Sequence, residues 1–223
     1  MKVLGLDGFR NGWVTVSFDG STAAIGFHGH VADALAGSFE RAAIDIPIGM
    51  SVDGERLCDR LACDALHPHR SRVFTGARRW LWEEFDDPDK ANAEALRRCE
   101  KRASRQLWHI GRKIMEVDAF VRSHPQLEIR EAHPELVFRR LNAGRPLPSK
   151  KSGEGLSMRR ALLRRTGFEQ IDDWLGAARR GTGAKADDVL DACVVAVAAL
   201  QPGGCLPEKP IRDAYDLPMQ IWF

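Results

Sequence analysis

The sequence predicts an α/β fold in which a short antiparallel meander is extended by two more strands, each reached through helices. Residues 3–27 contain short apolar segments separated by turn signals, and an apolar strand is predicted at 42–46. Most of the remaining chain has apolar residues at helical spacing. A chain of 223 residues, 44% of them apolar, is long enough to bury such a core in one domain.

The meander is predicted from two dipeptides that are typical of tight hairpin turns. Asn-Gly stands at 11–12 and Asp-Gly at 19–20, and together they divide residues 3–27 into three short apolar or alternating segments. We therefore expect three antiparallel strands in chain order.

The fourth and fifth strands are predicted after helical segments. Residues 30–39 can form a short helix, and the strand at 42–46 is apolar apart from Asp45. A strand that is reached through a helix normally lies parallel to its predecessor in the sheet. Residues 127–131 return to strand-like alternation and supply the fifth strand.

The rest of the chain is predicted to be helical. Residues 51–124 form a mostly helical insertion within a single domain that spans residues 1–223. The loop at 142–155, rich in Gly, Pro, Ser and Lys, is expected to be mobile. Four further helices are predicted at 134–141, 156–166, 168–178 and 187–200.

Composition rules out several classes of protein. With 33 Lys and Arg against 31 Asp and Glu, the formal net charge of +2 leaves no strongly charged tail. The longest apolar run, 192–200, is about half of what is needed to cross a bilayer, so we expect no membrane-spanning segment. The first residues lack a secretory h-region, and a cytoplasmic location is expected. The five scattered cysteines favour neither structural zinc nor disulfides.

Carboxylates follow or interrupt two of the predicted strands. Asp7 ends the first strand, and Asp45 lies near the end of the fourth. A charge in a buried strand is costly unless it is paired, hydrogen-bonded or bound to a metal ion. If the two strands are parallel neighbours, both carboxylates emerge at the carboxyl edge of the sheet, where open α/β sheets bind ligands.

A further group of acids opens the last predicted helix. Asp187 and Asp188 stand in its first turn, and Asp191 follows one turn later on the same face. Capping of free N–H groups is the favoured interpretation of Asp187. Asp191 lies deeper in the helix, where its acidic neighbours repel it unless a positive charge lies between them.

The end of the fifth strand carries Glu131, His133 and Glu135. Glu131 has the strand parity of Leu127 and Ile129, which points it toward the packed face or the rim above it. His133 is expected to be a hydrogen-bonded rim histidine. Glu135 is equally consistent with a helix first-turn acid and with a site residue.

These carboxylates together form a candidate site with little histidine or cysteine. Oxygen-only sites suit Mg²⁺ or Mn²⁺ rather than zinc. Two such ions ~4 Å apart would hold the attacking and leaving oxygens of a phosphodiester. The leading hypothesis is a metal-dependent phosphodiesterase acting on DNA or RNA.

The order of these features resembles the RNase H-like superfamily, and within it the Holliday-junction-resolvase-like arrangement. The chain is also similar, over nearly its whole length, to the domain of unknown function 429 family, which is described as a predicted nuclease of RNase H-like fold. The stretches that carry this similarity are GLDG at 5–8, IDIPIG at 44–49, KIMEVD at 113–118, EAHPE at 131–135, DDVLDA at 187–192 and MQIW at 219–222.

The resemblance implies an RNase H-like mixed five-stranded sheet flanked by helices, and a nuclease that uses two metal ions. The implied metal ligands or general base are Asp7, Asp45, Asp188 and Asp191, with Glu131 as the closest substitute. The accessory residues are Lys113, His133, Glu135 and Asp187.

Three basic segments, at 70–79, 97–113 and 159–165, are candidates for phosphate contacts. Charge runs on helices are usually solvated faces, and a net charge of +2 gives no global attraction for polyanions. Trp80 and Trp82 could stack on bases, although anchoring of the insertion to the core is the favoured interpretation. The predicted nucleic-acid-binding residues are Arg78, Arg79, Arg102, Arg105 and Arg112.

Two other functions stay open. A phosphotransferase of the actin and sugar-kinase type, or a related ATP-binding protein, shares the strand order and a glycine turn after the first aspartate. Such enzymes normally duplicate the fold, whereas this chain has room for one copy. A non-catalytic nucleic-acid-binding domain would use the basic surfaces alone, but it would have no reason to keep adjacent buried acids.

Overall fold

The computed structural model describes residues 1–99 and 101–223. In this part of the chain a mixed seven-stranded sheet is flanked by helices. The strands are β1 (Val3–Phe9), β2 (Gly12–Phe18), β3 (Ala23–His28), β4 (Arg41–Ile44), β5 (Ile129–Ala132), β6 (Cys205–Arg212) and β7 (Pro218–Trp222). The helices are α1 (Val31–Ala34), α2 (Leu57–Ala65), α3 (Trp80–Glu83), α4 (Pro88–Cys99), α5 (Arg105–His109), α6 (Gly111–Ser123), α7 (Pro134–Leu141), α8 (Gly153–Arg165), α9 (Ile171–Arg179) and α10 (Ala186–Leu200), with a 3₁₀ helix at Arg70–Arg72.

The described residues divide into two compact units. The first unit contains residues 1–46, 126–204 and 222–223, and the second contains residues 47–125 and 205–221. None of the helices in the described part of the chain is both long and apolar enough to cross a membrane.

Within the first unit, the strands stand in the order β3-β2-β1-β4-β5. β1 pairs antiparallel with β2, and β2 pairs antiparallel with β3, which confirms the predicted meander. β4 lies parallel to β1, and β5 lies parallel to β4, as expected for strands that are reached through helices.

Helix α10 forms the centre of the first unit. Every residue from Val189 to Ala199 is buried, and all of them except Asp191 are apolar, as expected for a helix enclosed by the core. It packs on β1, β2 and β4. A Cβ atom at Gly5 would overlap the carbonyl oxygen of Ala192 and the backbone nitrogen of Ala196, so α10 can approach β1 this closely only because residue 5 is glycine.

The second unit contains helices α2 to α6 together with β6 and most of β7. A buried ion-pair network lies inside it. Arg79 donates from Nε and Nη2 to the Asp118 carboxylate at 3.0 and 2.6 Å, and Nη2 also lies 2.6 Å from Oδ2 of Asp213. These bonds join segments that are far apart in the sequence.

The structure differs from the sequence prediction in the number of strands and in several boundaries. Seven strands are present in the described part of the chain instead of five, because β6 and β7 were missed. β6 contains Pro207 and Pro210 and several charged residues. From the sequence alone, this composition indicates a loop and not a strand. The helix predicted at 30–39 is limited to Val31–Ala34, and α8 begins earlier than predicted because Ser152 caps it by accepting from the Gly155 N–H.

Candidate functional site

Asp7 and Asp45 occupy neighbouring positions on two parallel strands of the first unit. In the register of β1 and β4, Leu6 stands opposite Ile44, and the Asp45 N–H donates to the Leu6 carbonyl at 3.1 Å. Asp7 is buried, and Asp45 is partly buried. The two carboxylates therefore follow adjacent residues at the carboxyl edge of the parallel strands.

The acids at the start of α10 have different surroundings. Asp188 accepts the Lys185 N–H at 2.7 Å in a capping box, so Asp188 and not Asp187 is the capping acid. Asp191 is 2% exposed. Its Oδ1 atom is buried and has no hydrogen-bond partner within the described residues, whereas Oδ2 accepts from a lysine.

That lysine is Lys150, which the sequence reasoning did not select. Its Nζ lies 2.6 Å from Oδ2 of Asp191 and 3.5 Å from Oδ2 of Asp187. Lys150 stands in the loop between α7 and α8, so neither periodicity nor a motif marks it. The sequence pointed to Lys150 only indirectly. The expected repulsion between Asp191 and its acidic neighbours implied that a positive charge lies between them, without showing which residue carries it.

The pKa values show that these carboxylates act on one another. Burial raises the pKa of the Asp7 carboxyl well above its ordinary value, and the charges of Asp45 and Asp191 raise it further. Burial also raises the pKa of Asp45, where Asp191 again adds to the effect. The Lys150 ammonium works in the opposite direction at both carboxyls. Asp7, Asp45 and Asp191 therefore belong to one electrostatic cluster, in which Asp188 also acts on Asp7.

Asp191 and Lys150 form the strongest pair in this cluster. Burial raises the pKa of Asp191 to about 6, even though Lys150 lowers it. For Lys150, burial alone would lower the pKa, but the charges of Asp191, Asp7 and Asp187 together raise it above its ordinary value. Lys150 is consequently a permanent cation at neutral pH.

The residues around the end of β5 divide between the site and its surroundings. Glu131 is buried and stands opposite Ile44 in the register of β5 and β4, and its charge raises the pKa of Asp45. His133 is the N-cap residue of α7, and its backbone N–H donates to the Trp222 carbonyl at 3.2 Å. Glu131 therefore belongs to the edge of the cluster.

Glu135 is engaged in a buried ion pair. Nη2 of Arg159 donates to both carboxylate oxygens of Glu135, at 2.7 and 2.9 Å. Nη1 of Arg159 donates to the carbonyls of Pro148 and Gly155 at 2.9 and 3.0 Å. Arg159 thus ties the loop that was predicted to be mobile to Glu135, through the carbonyl of Pro148, two residues before Lys150.

The chain matches a family described as "Protein of unknown function (DUF429)" over residues 5–212. The chain belongs to the DUF429 family. The match covers both compact units and includes every residue of the acidic cluster. No curated protein and no solved structure matches the chain.

The basic residues predicted to contact nucleic acid lie in the second unit of this DUF429 chain. Arg78 and Arg79 are buried, Arg79 in the ion pairs with Asp118 and Asp213, so neither is on an exposed basic surface as predicted. Lys113 lies on α6 and is partly exposed, also outside the first unit. The three predicted contacts that remain exposed are Arg102, Arg105 and Arg112.

Within the described part of this DUF429 chain, no group of three or more His, Cys, Asp or Glu side chains is arranged as a metal site. In this arrangement one oxygen of Asp188 accepts the Lys185 N–H that caps α10, and Lys150 donates to Asp191. The donors nevertheless suit a hard divalent cation, because they are all carboxylate oxygens and because the buried Oδ1 of Asp191 has no partner there.

Proposed function

We propose that the chain is a Mg²⁺- or Mn²⁺-dependent nuclease that hydrolyses phosphodiester bonds at the carboxylate cluster, meaning Asp7, Asp45, Asp188 and Asp191. The observation that carries this proposal is the buried Oδ1 of Asp191, which has no hydrogen-bond partner in the described structure and belongs to a cluster of like charges. Buried carboxylates are normally paired, hydrogen-bonded or bound to metal.

The charge balance of the cluster also favours an additional cation. Four carboxylates from β1, the residue after β4, and α10 are opposed by the ammonium of Lys150 and, at Asp188, by that of Lys185. Burial is the largest cause of the raised pKa values of Asp7 and Asp45, and the charges of neighbouring carboxylates raise them further. A divalent cation would relieve the repulsion, and so the cluster has an electrostatic reason to bind one.

The residues assigned to hold the cation are Asp7, Asp45 and Asp191, through its Oδ1. Asp188 keeps one carboxylate oxygen that the capping bond does not use, and Glu131 stands on the neighbouring strand as a substitute. When bound, Mg²⁺ or Mn²⁺ supplies charge for the phosphate oxygens and lowers the pKa of a water nucleophile. The protein's part is to hold these oxygens on rigid strands and a buried helix.

We also propose that the first unit has an RNase H-like fold. An antiparallel meander followed by two parallel strands, in the order β3-β2-β1-β4-β5, supports an RNase H-like first unit. Exposed Arg102, Arg105 and Arg112 are the proposed contacts to DNA or RNA. The free state of all five cysteines supports the cytoplasmic location, since thiols stay reduced there.

The test is cleavage of a panel of single-stranded, branched and hybrid substrates in Mg²⁺ or Mn²⁺. We expect hydrolysis by the wild type and a loss of at least about 100-fold in Asp7→Asn, because the isosteric amide removes one charge from the metal ligands. Asp33→Asn, an exposed acid on α1, is the matched control and should leave the rate unchanged.

Absence of metal-dependent hydrolysis by the wild type across the whole panel would contradict the proposal. A thermal shift with ATP, without any effect of nucleic acid, would instead favour the phosphotransferase alternative. Tight nucleic-acid binding that persists in Asp7→Asn, with no cleavage by either protein, would favour the non-catalytic binding domain.

A further inference from the structure

Lys150 lies among the carboxylates at which the proposed function places its cations. Its Nζ lies 2.6 Å from Oδ2 of Asp191 and 3.5 Å from Oδ2 of Asp187, and its charge also acts on Asp7 and Asp45. The Lys150 side chain as a whole is 37% exposed while it is bound to Asp191. A lysine ammonium has three donors, and Asp191 and Asp187 leave at least one of them for a ligand oxygen.

The backbone that carries Lys150 is held on both sides. Before it, Leu147 is buried and the Pro148 carbonyl accepts from Arg159. Across it, the carbonyl of the preceding Ser149 accepts from both the N–H and the hydroxyl of the following Ser152, at 2.9 and 2.8 Å. A Cβ atom at Gly155 would overlap the Ser149 carbonyl oxygen, so the start of α8 lies directly against this loop.

The support of this loop includes a pair that is expensive to bury. Arg159 is fully buried, and its bidentate bond to Glu135 ties the Lys150 loop to the first turn of α7. Burial of an ion pair is repaid only by good geometry and additional hydrogen bonds, and the carbonyls of Pro148 and Gly155 provide them. Lys150 therefore stands on a built support and not on a loose loop.

We propose that Lys150 is the resident second cation of the centre, so that the carboxylate cluster takes one divalent cation where a two-metal site would take two. This inference rests on the proposed nuclease function. When bound, the divalent cation would be held by Asp7, Asp45 and Oδ1 of Asp191, while the Lys150 ammonium, bound to Oδ2 of Asp191, would offer a donor to a phosphate oxygen of the substrate.

The experiment is calorimetric titration of the full chain with Mn²⁺ alone, which counts bound ions independently of activity. We expect one Mn²⁺ per wild-type chain and two per chain in Lys150→Met, where the freed Oδ2 of Asp191 becomes a ligand for the second ion. Lys151→Met is the matched control, because Lys151 is the exposed neighbouring lysine, and it should bind one ion.

A second readout is the melting temperature, compared between the variants first in EDTA and then with Mn²⁺. In EDTA, Lys150→Met should melt below the wild type, because it leaves the cluster without its ammonium, and Mn²⁺ should restore most of the difference. Lys151→Met should melt with the wild type. If Lys150→Met does not fold, Lys150→Gln replaces it, and the wild-type ion count is still decisive.

The outcomes separate this inference from the proposed function. Two Mn²⁺ ions per wild-type chain, with binding lost in Asp7→Asn, would keep the nuclease proposal and overturn the role of Lys150. One ion in both the wild type and Lys150→Met would also overturn it. No Mn²⁺ binding by the wild type would overturn the inference and the metal-dependent function together.

Discussion

At the scale of single residues, the first unit keeps charges where they cost stability. Asp191 is 2% exposed on a helix that is apolar from Ala192 onward, and one of its carboxylate oxygens has no hydrogen-bond partner within the described residues. Its one charged donor, Lys150, does not restore the ordinary pKa, which burial holds at about 6. Such a residue weakens the metal-free fold and is expected where binding of a cation recovers the loss.

The raised pKa of Asp191 predicts an unusual pH dependence for the metal-free chain. The folded state holds a proton up to about pH 6, whereas the unfolded carboxyl releases it near its ordinary pKa of 3.8, so the folded state binds more protons between these values. Stability should therefore rise as the pH falls from 7 to 5. Carboxyls whose pKa is lowered, such as Asp213, lose stability only at lower pH.

This dependence can be measured from urea unfolding midpoints at pH 7, 6 and 5 in EDTA. The wild type should gain stability toward pH 5, and Asp191→Asn should show a flatter profile. Saturating Mn²⁺ should remove the gain, because protons and the cation compete for the same carboxylates. A wild-type midpoint that falls steadily from pH 7 to 5 would contradict the assignment.

At the scale of elements, the placement of α10 on β1 decides which acids meet. The helix carries Asp188 and Asp191, and the strand carries Asp7. Their approach depends on Gly5, because any side chain there would overlap the backbone of α10 at Ala192. A glycine that permits packing is therefore also a condition for assembling the proposed site.

Gly5→Ala should separate α10 from β1. We expect destabilisation of about 1–3 kcal/mol or more, since overlap with backbone atoms cannot be relieved by a change of rotamer. We also expect weaker Mn²⁺ binding in whatever fraction stays folded. Chemical unfolding and Mn²⁺ titration measure the two effects.

Gly29→Ala is the control for this substitution, because a Cβ atom at Gly29 meets no atom within 4 Å. It should change stability by less than about 0.5 kcal/mol. Equal stabilities of Gly5→Ala and Gly29→Ala would show that the close contact between β1 and α10 does not exist in solution.

At the scale of the whole molecule, the formal net charge of +2 results from acidic and basic groups that lie in different parts of the sequence. The carboxylate cluster lies in the first unit, and the exposed arginines proposed to bind nucleic acid lie in the second. Without a large net charge, polyanion binding should depend on local contacts and be sensitive to salt.

The substitution of Arg102 and Arg112 by Gln tests this expectation. The logarithm of the affinity for single-stranded DNA should fall with the logarithm of the salt concentration, and removing two phosphate contacts should reduce that slope by about 1.4. The control is Arg179→Gln with Arg180→Gln, which makes the same charge change at exposed residues near the end of α9 in the first unit. Identical slopes in both double variants would contradict the assigned contact surface.

Local sequence patterns were sufficient where short-range interactions decide the structure. Two turn dipeptides predicted the meander, and the apolar run of α10 predicted a buried helix. They failed at β6, where prolines and charges resemble a loop, and at Arg78 and Arg79, whose charge indicated an exposed surface. In both cases contacts outside the local window override composition.

The sequence by itself determined the fold class and the candidate acids Asp7 and Asp45 near the ends of two strands, because periodicity and chain connectivity are local properties. The structure added that β1 and β4 are parallel neighbours, which brings both acids to the same carboxyl edge. Only the tertiary structure decided what each acid binds. Lys150 and Asp191 are 41 residues apart, and Arg159 and Glu135 are 24 apart. Partners of buried charges are chosen by packing of distant segments, and no spacing in the sequence encodes that choice.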